Sequence, residues 1–419
     1  MFFSLPPRTK KILLILGFFA FIVAMGWLIY FLFFRVAPTP QVSAPAGVAT
    51  GQLPKAGAGQ PKPSTGIIGY LQGLPSSLGL TTPSLPAPTP MPPLPSRFTN
   101  LSVTSNSSIS IDPSGSGVRA YNAADGKFYS ISDNGSSIAI APETFLNVQN
   151  VIWGSGKNQA ILEFPDGVKV YEDFQTGKTV TLPKHWTDFS FSPQGTQIAA
   201  KSIGEDETNR FLVIANPDGT DPKPVEELGS NQDRVKVSWS PNNQVIAFSN
   251  TADARGFDET GILLLGKNQE NFKQLVVQGQ GFIPNWSPNG SQLLYSVWSS
   301  WNDYRPMLWV SDAAPDTINN HRRMLKIATW ADKCAWKSED VLLCAIPGNI
   351  QANSGLQRNL FDTGPDFIFK IDLRTGAQTN LGQFDGGVAR QITVSQNGNS
   401  AYIVNTDTGF LSKLDLTSL

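Results

Sequence analysis

The sequence predicts an all-β propeller, seven four-stranded blades with six as the alternative count, preceded by one transmembrane helix and a disordered Pro-rich linker. Three observations lead there. A unit of an aromatic residue, Ser-Pro, a polar or Gly turn and an apolar strand recurs from about residue 98 to the end of the 419-residue chain. Residues 12–34 form an uninterrupted uncharged run. Charge is divided sharply: the 97 N-terminal residues hold seven basic groups and no acid, whereas residues 98–419 hold 25 basic and 33 acidic groups. The near-neutral total of −1 therefore conceals a basic arm and an acidic domain. No basic excess of the kind that grips a duplex is present, so nucleic acid is not an expected partner.

The apolar run comes first. Its 23 residues, rich in Ile, Leu and Phe, would span about 34 Å as a helix, enough to cross a bilayer core. Trp27 and Tyr30 lie towards one end, where amphipathic aromatics favour the interface. Arg8, Lys10 and Lys11 precede the run, and Arg35 alone follows closely. The positive-inside rule then leaves residues 1–11 as a short cytoplasmic tail and the remainder outside the cytoplasm. A cleaved signal peptide is the competing reading. Its apolar core should be about 7–15 residues with a small-residue cleavage site close behind, whereas Ala44-Pro45-Ala46 lies ten residues beyond Phe34. The length favours an uncleaved anchor in the cell membrane.

Residues 35–97 follow as a stalk. The segment 38–97 contains 14 of the 31 prolines, with Ala, Gly, Ser and Thr between them. Repeated Pro removes backbone donors and favours extended polyproline geometry. Such a composition cannot bury enough apolar surface to fold by itself.

The repeats fill 98–419. Phe191-Ser192-Pro193-Gln194-Gly195 leads into Ile198-Ala199-Ala200, Trp239-Ser240-Pro241-Asn242-Asn243 into Ile246-Ala247-Phe248, and Trp286-Ser287-Pro288-Asn289-Gly290 into Leu293-Leu294-Tyr295. Degenerate copies start at Ile111, Trp153, Trp336 and Val394, so the seven starts are 42, 38, 48, 47, 50 and 58 residues apart. That spacing suits four short strands per blade. Seven and nine residues after each start every residue is apolar or aromatic, and the residue between is usually apolar too, Arg119 being the exception. A strand apolar on both faces is one buried between two sheets. The last unit ends after only three strands, which leaves an open edge. Phe98–Val103, unassigned before the first repeat, is expected to supply its outer strand and close the ring.

The aromatic-Ser-Pro-x-Gly units resemble TolB-like propeller repeats, relatives of WD-repeat blades. The Gly-His and Trp-Asp pairs of true WD repeats are absent. The resemblance implies the fold and not an activity; six blades are common among such propellers, against the seven that the spacing yields here. Propellers joined to a hydrolase domain are not the expected relatives, because the sequence holds no G-x-S-x-G elbow.

Candidate chemistry is sparse. Cys334 and Cys344 are symmetric about Glu339, so a symmetric hairpin sets them opposite each other within disulfide range. An extracytoplasmic location permits that bond, with buried free thiols as the alternative. His185 and His321 are isolated in sequence, and no metal, catalytic or cofactor-binding motif is present. Loop length is the more informative feature. Connections after the second strand are long in units three to six: 203–210, 250–260, 299–305 and 347–366. In a propeller these equivalent loops emerge on one face around the channel mouth, and function tends to reside in such insertions. They carry Arg255, Asp258, Trp301, Tyr304, Arg305, Arg358 and Phe361, residue types over-represented in binding hot spots. Any single one of them is more readily explained as an ordinary solvated loop residue.

The expectation is a membrane-anchored extracytoplasmic propeller acting as a non-catalytic module of the cell envelope, with a protein or envelope polymer as partner. The alternative is an enzyme acting on envelope glycans through carboxylates at the channel mouth, for which Glu205-Asp206-Glu207 is the hint.

Overall fold

The computed structural model describes residues 97–417, apart from 103, 253, 254, 257 and 271, together with residues 18, 21–25 and 27. The latter lie in a helix, with Phe18, Phe21 and Trp27 exposed. No helix among the described residues is long and apolar enough to cross a membrane. The rest of the expected span and the stalk at 35–96 lie outside the described residues.

Residues 98–415 form seven four-stranded antiparallel sheets. Six blades follow chain order: 106–139, 150–182, 186–227, 235–277, 280–328 and 334–383. The seventh joins 389–415 to Phe98–Ser102, which pairs antiparallel with Leu411–Asp415 in the register Phe98↔Leu414, Thr99↔Lys413 and Asn100↔Ser412. The first strand of the domain thus closes the last blade, and the spacing-derived count of seven holds.

The burial pattern explains why these residues form blades. All fourteen positions seven and nine residues after the repeat starts fall in second strands, and none is more than 2% exposed. The domain has no single core. It has seven apolar clusters, each between two adjacent blades. Successive side chains of a strand point to opposite faces, so second strands feed two clusters at once. Leu293 and Tyr295 pack towards blade 4, and Leu294 between them packs towards blade 6. Arg119 occupies such an intervening position and is buried all the same. Its guanidinium lies 4.7 Å from the Trp153 ring and donates to Ser110 Oγ (3.0 Å), to the Gly154 carbonyl (3.1 Å) and to the Lys157 carbonyl. A cation in a sandwiched position is tolerated because an aromatic face and acceptors replace its water.

The Ser-Pro turn has a structural reason as well. Ser192, Ser240, Ser287 and Ser395 are buried. The hydroxyl of each accepts from a backbone N–H at the start of the next strand or one residue before it, for instance Val245 N to Ser240 Oγ at 2.9 Å and Ser400 N to Ser395 Oγ at 3.0 Å. Pro presets the second turn position, and the fourth is left-handed: Gly195 and Gly290 have φ of +63° and +72°.

First strands line the central channel, and their inner edges would otherwise expose unpaired backbone. Neighbouring blades answer them. Gln391 of blade 7 donates to the Ile109 carbonyl (2.9 Å) and accepts its N–H, Asp188 of blade 3 accepts the Val237 N–H (2.9 Å), and Asn285 of blade 5 donates to the Cys334 carbonyl (2.8 Å). In blade 6, Cys334 and Cys344 are register partners joined by a disulfide.

Candidate functional site

Strand directions place all connections between second and third strands on one face. Their bounds match the sequence reading closely: the flanking strands leave 204–209, 250–259, 299–306 and 348–365 as the loops of blades 3 to 6. Those of blades 4, 5 and 6 are tied together. Ser300 Oγ donates to Asp258 Oδ2 at 3.1 Å, joining blades 4 and 5. Asn353 N and Gly355 N donate to the Asp303 and Tyr304 carbonyls, both at 2.8 Å, joining blades 5 and 6. Asp303 and Tyr304 are consecutive non-glycine residues in left-handed conformation, with φ of 57° and 56°. Such residues cost roughly 1–2 kcal/mol each. The strain turns two successive carbonyls towards the blade 6 loop, which repays it with two hydrogen bonds.

The sequence-derived candidates occupy this face in three ways. Asp258, Tyr304 and Arg305 hold loops. Tyr304 packs edge-on against Trp298 with ring centres 5.9 Å apart. Arg305 pairs with Asp303 at 2.7 Å and donates to the Ile350 carbonyl at 3.3 Å. Arg358 opens the helical turn Arg358–Phe361 and belongs to an ion network, while Phe361 closes that turn half-buried. Arg255 and Trp301 are exposed, Trp301 by 49%. Leu356 and Leu360, absent from the sequence-derived set, are exposed on the blade 6 loop by 49% and 67%.

The ion network lies beneath the helical turn. Lys333 and Asp366 are both fully buried, with their charged groups 2.8 Å apart, and Lys333 also meets Asp362. Asp366 accepts the Ala389 N–H of blade 7 at 2.6 Å, and its backbone bonds Gly387 and Phe384. Burial pushes the Asp366 carboxyl above its ordinary range, against the pull of Lys333. Arg358 pairs with Asp332 (2.6 Å) and Asp362 (3.2 Å) and lies over the Trp330 ring at 4.7 Å. Burial works against the Arg358 charge, but Asp332 and Asp362 outweigh it and hold its pKa above the usual value. None of this network was singled out in the sequence. A lone Lys beside Trp330 in a connector reads as a solvated charge.

Next to it a cavity of about 460 Å³ opens at the channel mouth, lined from blades 4, 5 and 6 and including Arg358. Glu205, Asp206 and Glu207 are all exposed in the blade 3 loop, and among the described residues no three His, Cys, Asp or Glu side chains group to hold a metal ion. His185 is exposed in a connector, and His321 is exposed while hydrogen-bonding Asp312.

A ring of seven four-stranded blades with its long loops gathered on one face defines the class of protein. No protein-family model and no curated protein sequence matches the chain. Solved structures do match in fold. An oligogalacturonate lyase in complex with manganese is 12% identical, with 76% of this chain and 93% of that chain covered at a TM-score of 0.54. The Cps50 (Swd1) β-propeller domain of Myceliophthora thermophila is 10% identical over 76% of this chain and all of its own, with a TM-score of 0.51. TolB from Acinetobacter baumannii is also matched, at 10% identity over 68% of this chain and 65% of its own, with a TM-score of 0.42. Identities this low speak to the propeller fold alone.

Proposed function

We propose that the chain is a membrane-anchored propeller that binds a protein partner of the cell envelope, with the interlocked loops of blades 4–6 as the docking face. One observation carries the reading. Three loops distant in sequence are cross-linked into one platform that presents Trp301, Leu356 and Leu360 to solvent. Large exposed apolar side chains on preorganised loops are the usual makings of a protein contact. Anchor and orientation rest on the 23-residue apolar run and the basic residues before it. The likeness to an oligogalacturonate lyase sustains a second reading, an enzyme acting on envelope glycans, but the exposed blade 3 carboxylates offer it no paired acid and base.

Affinity capture after crosslinking in the native envelope tests the reading. Trp301→Ala with Leu360→Ala is expected to lower recovery of a discrete partner tenfold or more, with thermal unfolding unchanged. These positions are preferable to Arg305, which holds the blade 6 loop. Undiminished recovery would remove this face from contention.

A further inference from the structure

The cavity at the channel mouth has a built interior. Its walls include the aromatic rings of Phe248, Phe282, Trp298 and Trp330. Phe248 and Phe282 pack edge to face with centres 5.4 Å apart. Trp298 lies between two glycines. A Cβ on Gly281 would come within 2.1 Å of the indole Nε1, and one on Gly355 within 2.6 Å of the indole Cγ and Cδ1. Gly281 also has φ of +67°, a conformation that disfavours any other residue. The backbone on both sides of this indole is thus free of side chain where a side chain would displace it.

The polar lining consists chiefly of donors. Arg234 ends the helical turn before the first strand of blade 4 and Lys236 lies in that strand; both line the cavity, and among the described residues neither side chain has a hydrogen bond or ion pair. Trp298 Nε1 likewise has no protein acceptor there. Arg358 lines the same space, with its charge already balanced by Asp332 and Asp362. Asp233 is the one carboxylate in the lining. A chamber with aromatic walls and unanswered donors complements a ligand that combines an apolar body with an anionic acceptor. Its volume exceeds one side chain and falls in the range of small-ligand pockets. The exposed Leu356 follows Gly355 of the cavity wall directly, so the chamber is continuous with the docking face.

We infer that this cavity receives an acidic peptide segment, its apolar or aromatic side chain seated against Trp298 and Phe282 and its carboxylate held by Arg234 and Lys236. The inference rests on the mouth face being a partner-binding surface and adds the chemistry of what enters it. Arg234 presents a planar fork suited to a carboxylate and Lys236 a point charge, so together they fix one end of the ligand while the rings fix the other.

Ligand-observed saturation-transfer NMR on the full chain in detergent, with N-acetyl-L-phenylalanine as the probe, tests this. Specific binding is read as the difference between the native chain and Arg234→Gln/Lys236→Gln. The acid is expected to bind, the amide of the same probe to bind at least tenfold more weakly, and the double variant to lose at least tenfold in affinity for the acid. Arg234→Lys/Lys236→Arg should retain binding. Equal binding of acid and amide, or undiminished binding to the glutamine variant, would overturn the assignment. So would D-glucuronate displacing the probe at equal or lower concentration, because it carries the charge without the apolar body. Partner capture is read with Trp301 and Leu360 substituted and the cavity with a free probe, so either can fail without the other.

Discussion

Deletion of residues 98–104 is expected to unfold the whole ring rather than fray one end of it. Phe98–Ser102 is the outer strand of blade 7, so its removal strips the ladder partner from Leu411–Asp415 and leaves an open edge. Side-chain contacts go with it. Phe98 packs edge-on against Phe384 of the blade 6 to blade 7 connector with ring centres 5.7 Å apart, and Ser412 Oγ donates to Asn100 Oδ1 at 2.9 Å. Partial burial of Phe98 and Leu101 together with the lost backbone bonds amounts to about 5 kcal/mol. That is a large fraction of the stability of an ordinary domain. Because each cluster lies between two blades, weakening blade 7 loosens its contacts with blades 6 and 1 together. Unfolding followed by circular dichroism should show a lower midpoint for the entire transition. An unchanged midpoint would mean that the ring does not depend on this closure.

The second large effect is expected at Lys333. Replacing it with Ala leaves the fully buried Asp366 without its cation, while the partly buried Asp362 keeps only Arg358. Breaking a buried ion pair from one side costs about 3–5 kcal/mol, because the remaining charge stays desolvated. Asp362→Asn should cost less, since Asp366 still neutralises Lys333. Asp366→Leu should again be severe, because the Ala389 N–H loses its acceptor. The network supports the helical turn that carries Leu360, so Lys333→Ala is also expected to reduce partner capture. Denaturant titration gives the energies. A loss under 1 kcal/mol for Lys333→Ala would show that the cluster relaxes into water.

What could be read from sequence follows from periodicity. Second strands announce themselves because both faces are buried, so Leu293-Leu294-Tyr295 is apolar without interruption and the spacing counts seven blades. Loop lengths were legible for the same reason, once the strands beside them were placed. Pairing between loops was not legible. Asp258 with Ser300, and Asn353 with Asp303, are contacts between residues 42 and 50 positions apart whose chemistry is common on any surface. The candidates Asp258, Tyr304 and Arg305 thus lie on the long-loop face, as their spacing implied, yet hold the platform instead of facing outward. Lys333 shows the other limit. A fully buried lysine has the sequence signature of an exposed one, and its burial is decided by two carboxylates that arrive about thirty residues later. Arg119 departs from the apolar pattern for a related reason, since the Trp153 face and backbone carbonyls that accept it belong to blade 2 and its turn.

Site-specific photocrosslinking in intact cells tests the binding face most directly. A photoreactive residue at 301 or 360 lies on the long-loop face, whereas one at Thr375, exposed in the turn between the third and outer strands of blade 6, lies on the opposite face. Positions 301 and 360 are expected to capture the same discrete partner and position 375 none. Capture from 375 with none from 301 or 360 would place the partner on the other side of the ring and contradict the account.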